Sequence, residues 1–391
     1  MRKRILFYLE PVTYADSPLR LGGWWSFCSA FAARSISAMT SAVAASPSIC
    51  ALGSPYFSEI HPIDQIELLR ISRFDRSAYS RDLCFGTSYK NFALLEELER
   101  LKAAFAPDIV MSVTDNRYLK KVFGPGNVFF MELGPLPRMG MHTAIYFDPY
   151  GHQIDSALDW FARNRWDHPK LGEFAELWHH KWINPICEVA QAKGIPSWFD
   201  AMTARFGLSS LLVALQPRDW ITYEGIGPLL DPISLLRSLA CDLGNDRMIL
   251  PQWHGSDTPP SEALITELEA NQPNIAVPPE HLRVAQSEMF LPLVEGVATI
   301  SSNVAAIGAI LGKKLIPLGK SKFHEIALQA KHNDQRIDIL AFLSSRYCLR
   351  LDDTLNIEGF FADHIRILHR NPTYLFDPTG VSPNELERFF T

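Results

Sequence analysis

The 391-residue sequence predicts an α/β fold of two Rossmann-like domains facing across a cleft. Length is the first observation behind that expectation: one hydrophobic core stops growing near 250 to 300 residues, so this chain divides into two. The second is its texture. Short apolar runs alternate with amphipathic helical segments, the pattern of parallel strands joined by crossover helices. The third is where polar residues fall. They cluster just after the apolar runs, at the carboxyl ends of strands, where open α/β sheets bind ligands.

Composition narrows the class. With 47% hydrophobic and only 20% charged residues, each half can bury a core, and a net charge of −6 offers no basic face for nucleic acid. Six cysteines, Cys28, Cys50, Cys84, Cys187, Cys241 and Cys348, lie far apart without a CxxC, so neither a disulfide framework nor a zinc knuckle is indicated. A reducing cytoplasm fits that usage. The N-terminal MRKRILFYLEP has too short an apolar run for a signal peptide, because Glu10 and Pro11 interrupt it, and it reads as the first buried strand. The longest apolar runs, LLVAL at Leu211 and VAAIGAIL from Val304, fall well short of a membrane span.

Strands are expected at Ile5 to Leu9, Ile109 to Ser112, Val128 to Glu132, Ser210 to Gln216, Met248 to Gln252, Gly296 to Ile300 and Lys314 to Leu318. A helix follows Asn91, with Leu94, Leu95, Leu98 and Leu101 on one face ahead of Pro107. Another runs from Pro232 to Leu243, capped by Asp231 and closed by Gly244. Residues 150–205 are rich in tryptophan and read as a helical connector or lid. The boundary is expected near residue 206, giving units 1–205 and 206–391, the second closed by C-terminal helices.

Three segments carry candidate chemistry. In VEGVATISSNVAAIGAILGKKLIPLG, Ser301, Ser302 and Asn303 stand between a strand and a helix, where free N–H groups and the helix dipole favour a phosphate. Simple helix capping is the alternative. In LLVALQPRDW, Gln216, Arg218 and Asp219 sit at a strand end, so Asp219 reads either as a nucleophile or base or as an ordinary turn residue. The next strand end carries His254. In MELGPLPRMG, Glu132 ends a strand and a Gly/Pro turn returns Arg138 toward the same edge. Two carboxylates from two domains, Glu132 and Asp219, would supply the pair that glycosyl transfer with retention requires, the alternative being a Glu132 satisfied by the backbone N–H groups of its turn. Downstream, IYFDPYGHQIDSAL reads as an irregular loop whose Asp148, His152 and Asp155 could touch an acceptor. No HExxH, carboxylate cluster, DxD, GxGxxG or Walker loop is present, so neither a metal nor another cofactor is expected.

In this order the segments resemble the bacterial capsule and O-antigen Kdo-transferase family, two-domain GT-B enzymes that use CMP-β-Kdo. The likeness runs from about residue 128 to 320. It rests on Glu132, Gly134 and Arg138, on the FDP-x-G loop Phe147, Asp148, Pro149 and Gly151, on Gln216 and Asp219, on His254, and on Thr299, Ser301, Ser302, Gly312, Lys313 and Lys314. Two positions depart from it. The family's Lys-Pro-His-Pro strand end is here Pro-Gln-Trp-His-Gly, and Ile307 replaces the ribose-binding Glu of many GT-B relatives, a role left to Glu295 or backbone.

The resemblance implies a retaining β-Kdo transferase with an acceptor-side domain 1–205 and a donor domain 206–391. Carried over, Asp219 is the nucleophile and Glu132 the acid/base, with Asp231 a rival nucleophile. His254 assists, Ser301, Ser302, Gln216 and Asn303 face the donor, and Arg138 or Lys322 meets the Kdo carboxylate. CMP-Kdo and a lipid-linked saccharide are the expected partners, at the inner face of the inner membrane. A GT-B transferase or epimerase using a UDP or GDP sugar, and a non-catalytic scaffold, are the alternatives.

Overall fold

The structure, a computed structural model of the chain, describes residues 2–12, 18–86, 91–166, 168–206, 209–217, 221–228, 230–244, 247–329 and 332–391. The architecture is α/β, with two Rossmann-like sheets, as the sequence predicts. The first sheet contains β1 (Lys3–Tyr8), β2 (Met39–Ala45), β3 (Glu59–Pro62), β4 (Ile109–Ser112), β5 (Val128–Leu133) and β6 (Ala144–Asp148). The second holds β7 (Ser209–Ala214), β8 (Arg247–Gln252), β9 (Gly296–Thr299) and β10 (Lys314–Pro317). A last strand, β11 (Cys348–Arg350), returns to the first sheet, whose order is β11-β6-β5-β4-β1-β2-β3. The second sheet runs β10-β9-β7-β8 and is parallel throughout.

All seven strands expected from sequence form, within a residue or two of the expected ends. The expected helices form too. Asn91 accepts from the Leu94 N–H at 3.0 Å to open Phe92–Phe105, and Asp231 accepts from the N–H groups of Ile233 and Ser234, both at 3.0 Å, to open Pro232–Leu243.

Four strands were not expected, each for an identifiable reason. β2 (MTSAVAA) is built from small residues with weak strand preference, and burial rather than propensity holds it. β3 is an edge strand ending in Pro62. β11 is too short to show a period. β6 corrects the reading of IYFDPYGHQIDSAL as loop from its first residue: Ala144–Asp148 pairs antiparallel with β5, placing Tyr146 opposite Glu132.

Within the tryptophan-rich stretch two indoles belong to the packed core. Trp178 and Trp182 are buried and stack with centroids 4.6 Å apart, and the Trp182 indole donates to the Met139 carbonyl at 3.1 Å. One apolar cluster runs from Ile5 and Phe7 through these indoles to Met289 and Ile307, joining the two sheets. Among the described residues no helix is long and apolar enough to cross a membrane.

Candidate functional site

In a doubly wound sheet the crevice for ligands opens where strand order reverses, outside the carboxyl ends of the strands. In the first sheet that point lies between β1 and β4. There Glu10 is fully buried and accepts from Tyr79 Oη at 2.8 Å, Asn116 Nδ2 at 3.1 Å and Tyr8 Oη at 3.2 Å. Burial pushes its carboxyl up to about 7 despite those donors. In the second sheet the reversal lies between β7 and β9. Gln216, just past β7, reaches Ser301, just past β9: its Oε1 accepts from the Ser301 N–H at 2.9 Å and its Nε2 lies 3.0 Å from the Ser301 hydroxyl.

The carboxyl ends of the two sheets meet at the turn after β5. Three residues of the second half grip this one turn. Lys322 Nζ is 2.6 Å from Glu132 Oε2, Asn303 Nδ2 donates to the carbonyls of Leu133 (3.0 Å) and Gly134 (3.3 Å), and Glu288 accepts from the N–H groups of Arg138 (2.9 Å) and Met139 (3.0 Å). Gly134 is required there, because a Cβ would stand 2.7 Å from Ala144 Cβ and 2.9 Å from Cys348 Sγ.

Around Glu132 the sequence assembles a polar cluster from four places. Tyr146 of β6 donates to Glu132 Oε2 at 3.0 Å, and Lys322 also reaches the Tyr146 hydroxyl at 2.8 Å. His152 lies between two carboxylates, with Nε2 3.2 Å from Glu132 and Nδ1 3.6 Å from Asp115. Asp115, just past β4, holds the loop by accepting from the N–H groups of His152 (3.1 Å) and Gln153 (2.8 Å). Lys322 is fully buried and Glu132 is 26% exposed. Burial alone would raise the Glu132 carboxyl, but the charges of Lys322 and His152 outweigh it and hold the group well below the usual carboxylate range. Burial alone would lower His152; Glu132 and Asp115 reverse this and lift it to about 9. The cluster is thus two cations facing two carboxylates, which hold Glu132 ionised.

Other sequence candidates fall as follows. Asp219, with Arg218 and Trp220, lies outside the described residues. Its neighbours are Gln216 and Pro217, both buried beyond β7, and the helix Ile221–Ile226. That helix packs on Arg76–Phe85 of the first half: Glu224 pairs with Arg76 at 2.9 Å and accepts from Ser80 at 3.2 Å. Asp231 serves as a helix cap, its second oxygen 2.5 Å from the Ser234 hydroxyl, so its carboxylate is engaged on both sides. Ser301 is buried, its N–H and hydroxyl both turned to Gln216, whereas Ser302 is partly exposed at the same helix start. Arg138 presents an exposed side chain while its backbone is held by Glu288. His254 Nδ1 lies 2.8 Å from Ser256 Oγ and accepts from the Ser256 N–H at 3.1 Å.

Asp148 is a loop staple rather than an acceptor contact. Fully buried, it takes the N–H groups of Tyr150 (2.7 Å), Gly151 (3.2 Å) and Ala157 (2.7 Å) and the Tyr347 hydroxyl (2.9 Å). Asp155 is exposed, at φ 57°. Sequence reasoning missed Asp115 and Tyr146, although Asp115 follows an expected strand and that position was itself a signal. Among the described residues no group of three or more His, Cys, Asp or Glu side chains is arranged to hold a metal ion.

No family model and no curated protein sequence matches the chain. Solved structures resemble it at low identity. A β-Kdo 2,7-transferase, KpsC, of Thermosulfurimonas dismutans is 16% identical, with 68% of this chain and 90% of that one covered and a TM-score of 0.41. UDP-GlcNAc 2-epimerase of Neisseria meningitidis is 13% identical over 98% of this chain and 97% of that one, with a TM-score of 0.31. The calicheamicin glycosyltransferase CalG4 is 12% identical over 99% and 95%, with a TM-score of 0.29.

Proposed function

We propose that the chain is a glycosyltransferase that moves Kdo from CMP-β-Kdo to a saccharide acceptor with retention, by double displacement. The observation that carries this reading is the meeting of Glu132 from the first half and Lys322 from the second, 2.6 Å apart where the carboxyl edges of both sheets converge. A carboxylate of the first half is thereby fixed by a cation of the second at one point. The segment resemblance supplies the donor.

In the proposed reaction Asp219 attacks the anomeric carbon of Kdo as the bond to the CMP phosphate breaks, and CMP departs with the electron pair. The partly exposed Ser302, at the start of Val304–Ile310, receives the departing phosphate. Electrostatic stabilisation of this kind serves a leaving group that needs no proton. Arg138, whose side chain is exposed, meets the Kdo carboxylate, while Lys322 stays paired with Glu132. The acceptor hydroxyl then attacks the Kdo–Asp219 ester, its proton passing to Glu132, and Asp219 is released as carboxylate. Gln216 fixes Ser301, and Asn303 ties the donor segment to the acceptor-side turn.

The test is intact-protein mass spectrometry after mixing with freshly generated CMP-Kdo. A Kdo-sized adduct is expected in the wild type and in Asp231→Ala, and not in Asp219→Ala. In Glu132→Gln the adduct should persist when an acceptor is added, because only the second step needs the base. Absence of both adduct and CMP release in the wild type would overturn the donor assignment. Adduct loss in Asp231→Ala alone would move the nucleophile.

A further inference from the structure

At the opposite edge of the first sheet, where β1 and β4 begin, lies a cavity of about 270 Å³ lined by Lys3, Ala38, Ile109, Arg366, His369 and Arg370. Three permanent cations and an imidazole converge on it in a chain whose net charge is −6, so the clustering is local and not a property of a generally basic surface. The candidate site above sits at the carboxyl ends of the same strands, a full strand length away.

The cations are only lightly neutralised. Lys3 Nζ is 3.6 Å from an Asp108 carboxylate whose other oxygen accepts from the Arg4 N–H at 2.8 Å. Arg366 pairs at 3.0 Å with Asp363, one turn earlier on its own helix and 69% exposed, a kind of pair that contributes little. Among the described residues Arg370 has no ion-pair partner. Size matters as well. The volume exceeds that of several waters, at roughly 30 Å³ each, and lies just under the range of drug-sized pockets. It suits a compact head group better than a whole nucleotide sugar.

We propose that this cavity is a binding site for a phosphate monoester or diphosphate group, held by the forks of Arg366 and Arg370 and by the Lys3 ammonium. Guanidinium forks match phosphoryl oxygens two at a time, and an ammonium adds a point charge. His369 is the built-in reporter. Asn127 Nδ2 donates to the Phe123 carbonyl at 2.9 Å, which turns Asn127 Oδ1 toward His369 Nε2 at 3.0 Å. Nε2 therefore carries the proton, and a second proton must enter at Nδ1. Burial and then the Lys3 charge hold this imidazole below its ordinary pKa, a bias that a bound anion reverses.

The experiment follows the His369 ring by NMR across pH with and without inorganic pyrophosphate, its resonance assigned with His369→Gln. The expected result is a His369 titration moved to higher pH by pyrophosphate, and affinity on the order of ten- to a hundredfold weaker in the Arg366→Ala, Arg370→Ala double variant, with the effect shrinking as salt is added. Co-sedimentation with phosphatidic acid, whose headgroup is a phosphate monoester, and with phosphatidylcholine vesicles separates the sources. Sedimentation with the anionic vesicles only, lost in the double variant and displaced by pyrophosphate, identifies a lipid headgroup; pyrophosphate binding without vesicle binding identifies a soluble phosphate. An unmoved His369 resonance, or equal affinity in wild type and double variant, overturns the proposal. These readouts do not involve Asp219, Glu132 or CMP-Kdo, so the site stands or falls apart from the transferase reading.

Discussion

Glu132 shows how a residue legible in sequence acquires its chemistry from residues that are not. A carboxylate at a strand end before a Gly/Pro turn is visible in MELGPLPRMG. That it sits against a fully buried lysine 190 positions away and an imidazole shared with Asp115 is visible only once the strands are paired. The pairing makes stability depend on pH. His152 has an ordinary pKa of 6.5 and is lifted to about 9 in the folded chain, so its contribution is fully present below 6.5 and is lost as pH rises through about 9. Wild type and His152→Gln should therefore differ most in melting temperature near pH 6 and converge toward pH 10, as followed by thermal melts. A gap that is constant with pH would mean His152 acts by packing alone. Glu132, whose pKa is depressed, contributes in the opposite sense, above the ordinary carboxylate range and down into strong acid.

Among elements, the short helix Ile221–Ile226 has the most to decide, since it follows the Asp219 stretch and rests on Arg76–Phe85 of the other half. The approach is close because Gly225 lacks a side chain: a Cβ would lie 2.7 Å from Cys84 Sγ and 3.2 Å from the Ser80 carbonyl. Gly225→Val should push the helices apart and destabilise the chain by about 1 to 3 kcal/mol, the usual size of overpacking, read in urea unfolding. If the proposed reaction is correct, the adduct at Asp219 should fall with it; a variant as stable as wild type would show that the helices part freely. Nothing in YEGIG marks that glycine beforehand, because a close approach is a property of two elements. The same holds for β11, three residues long, whose strand character comes from pairing with Ala144–Tyr146.

Over the whole molecule, the boundary expected near 206 falls between the helix Ile195–Phe206 and β7, and one apolar cluster has members on both sides of it. β11 and the helices after it return to the first sheet, where Phe361 stacks on Phe31 with centroids 4.7 Å apart. A stretch assigned by sequence to the second unit thus completes the first. Expressed separately, 1–205 and 206–391 should each bind ANS and lack a cooperative melt, whereas co-expression or the intact chain should melt as one transition. Two sharp independent melts would show that the shared apolar cluster is dispensable.

By itself the sequence determined the α/β class, the principal strands, the capped helices and the strand-end positions of Glu132, Gln216 and Ser301, because each follows from local periodicity, propensity and turn chemistry. The tertiary structure decided which of these meet. It engaged Ser301 with Gln216, made Asp148 a staple, brought Lys322 onto Glu132, and gathered Lys3 with Arg366 and Arg370 around one cavity. The physical reason is common to all of them. Charge state and hydrogen-bond occupancy depend on neighbours that are distant in sequence, and only the packed fold brings those neighbours within a few ångströms.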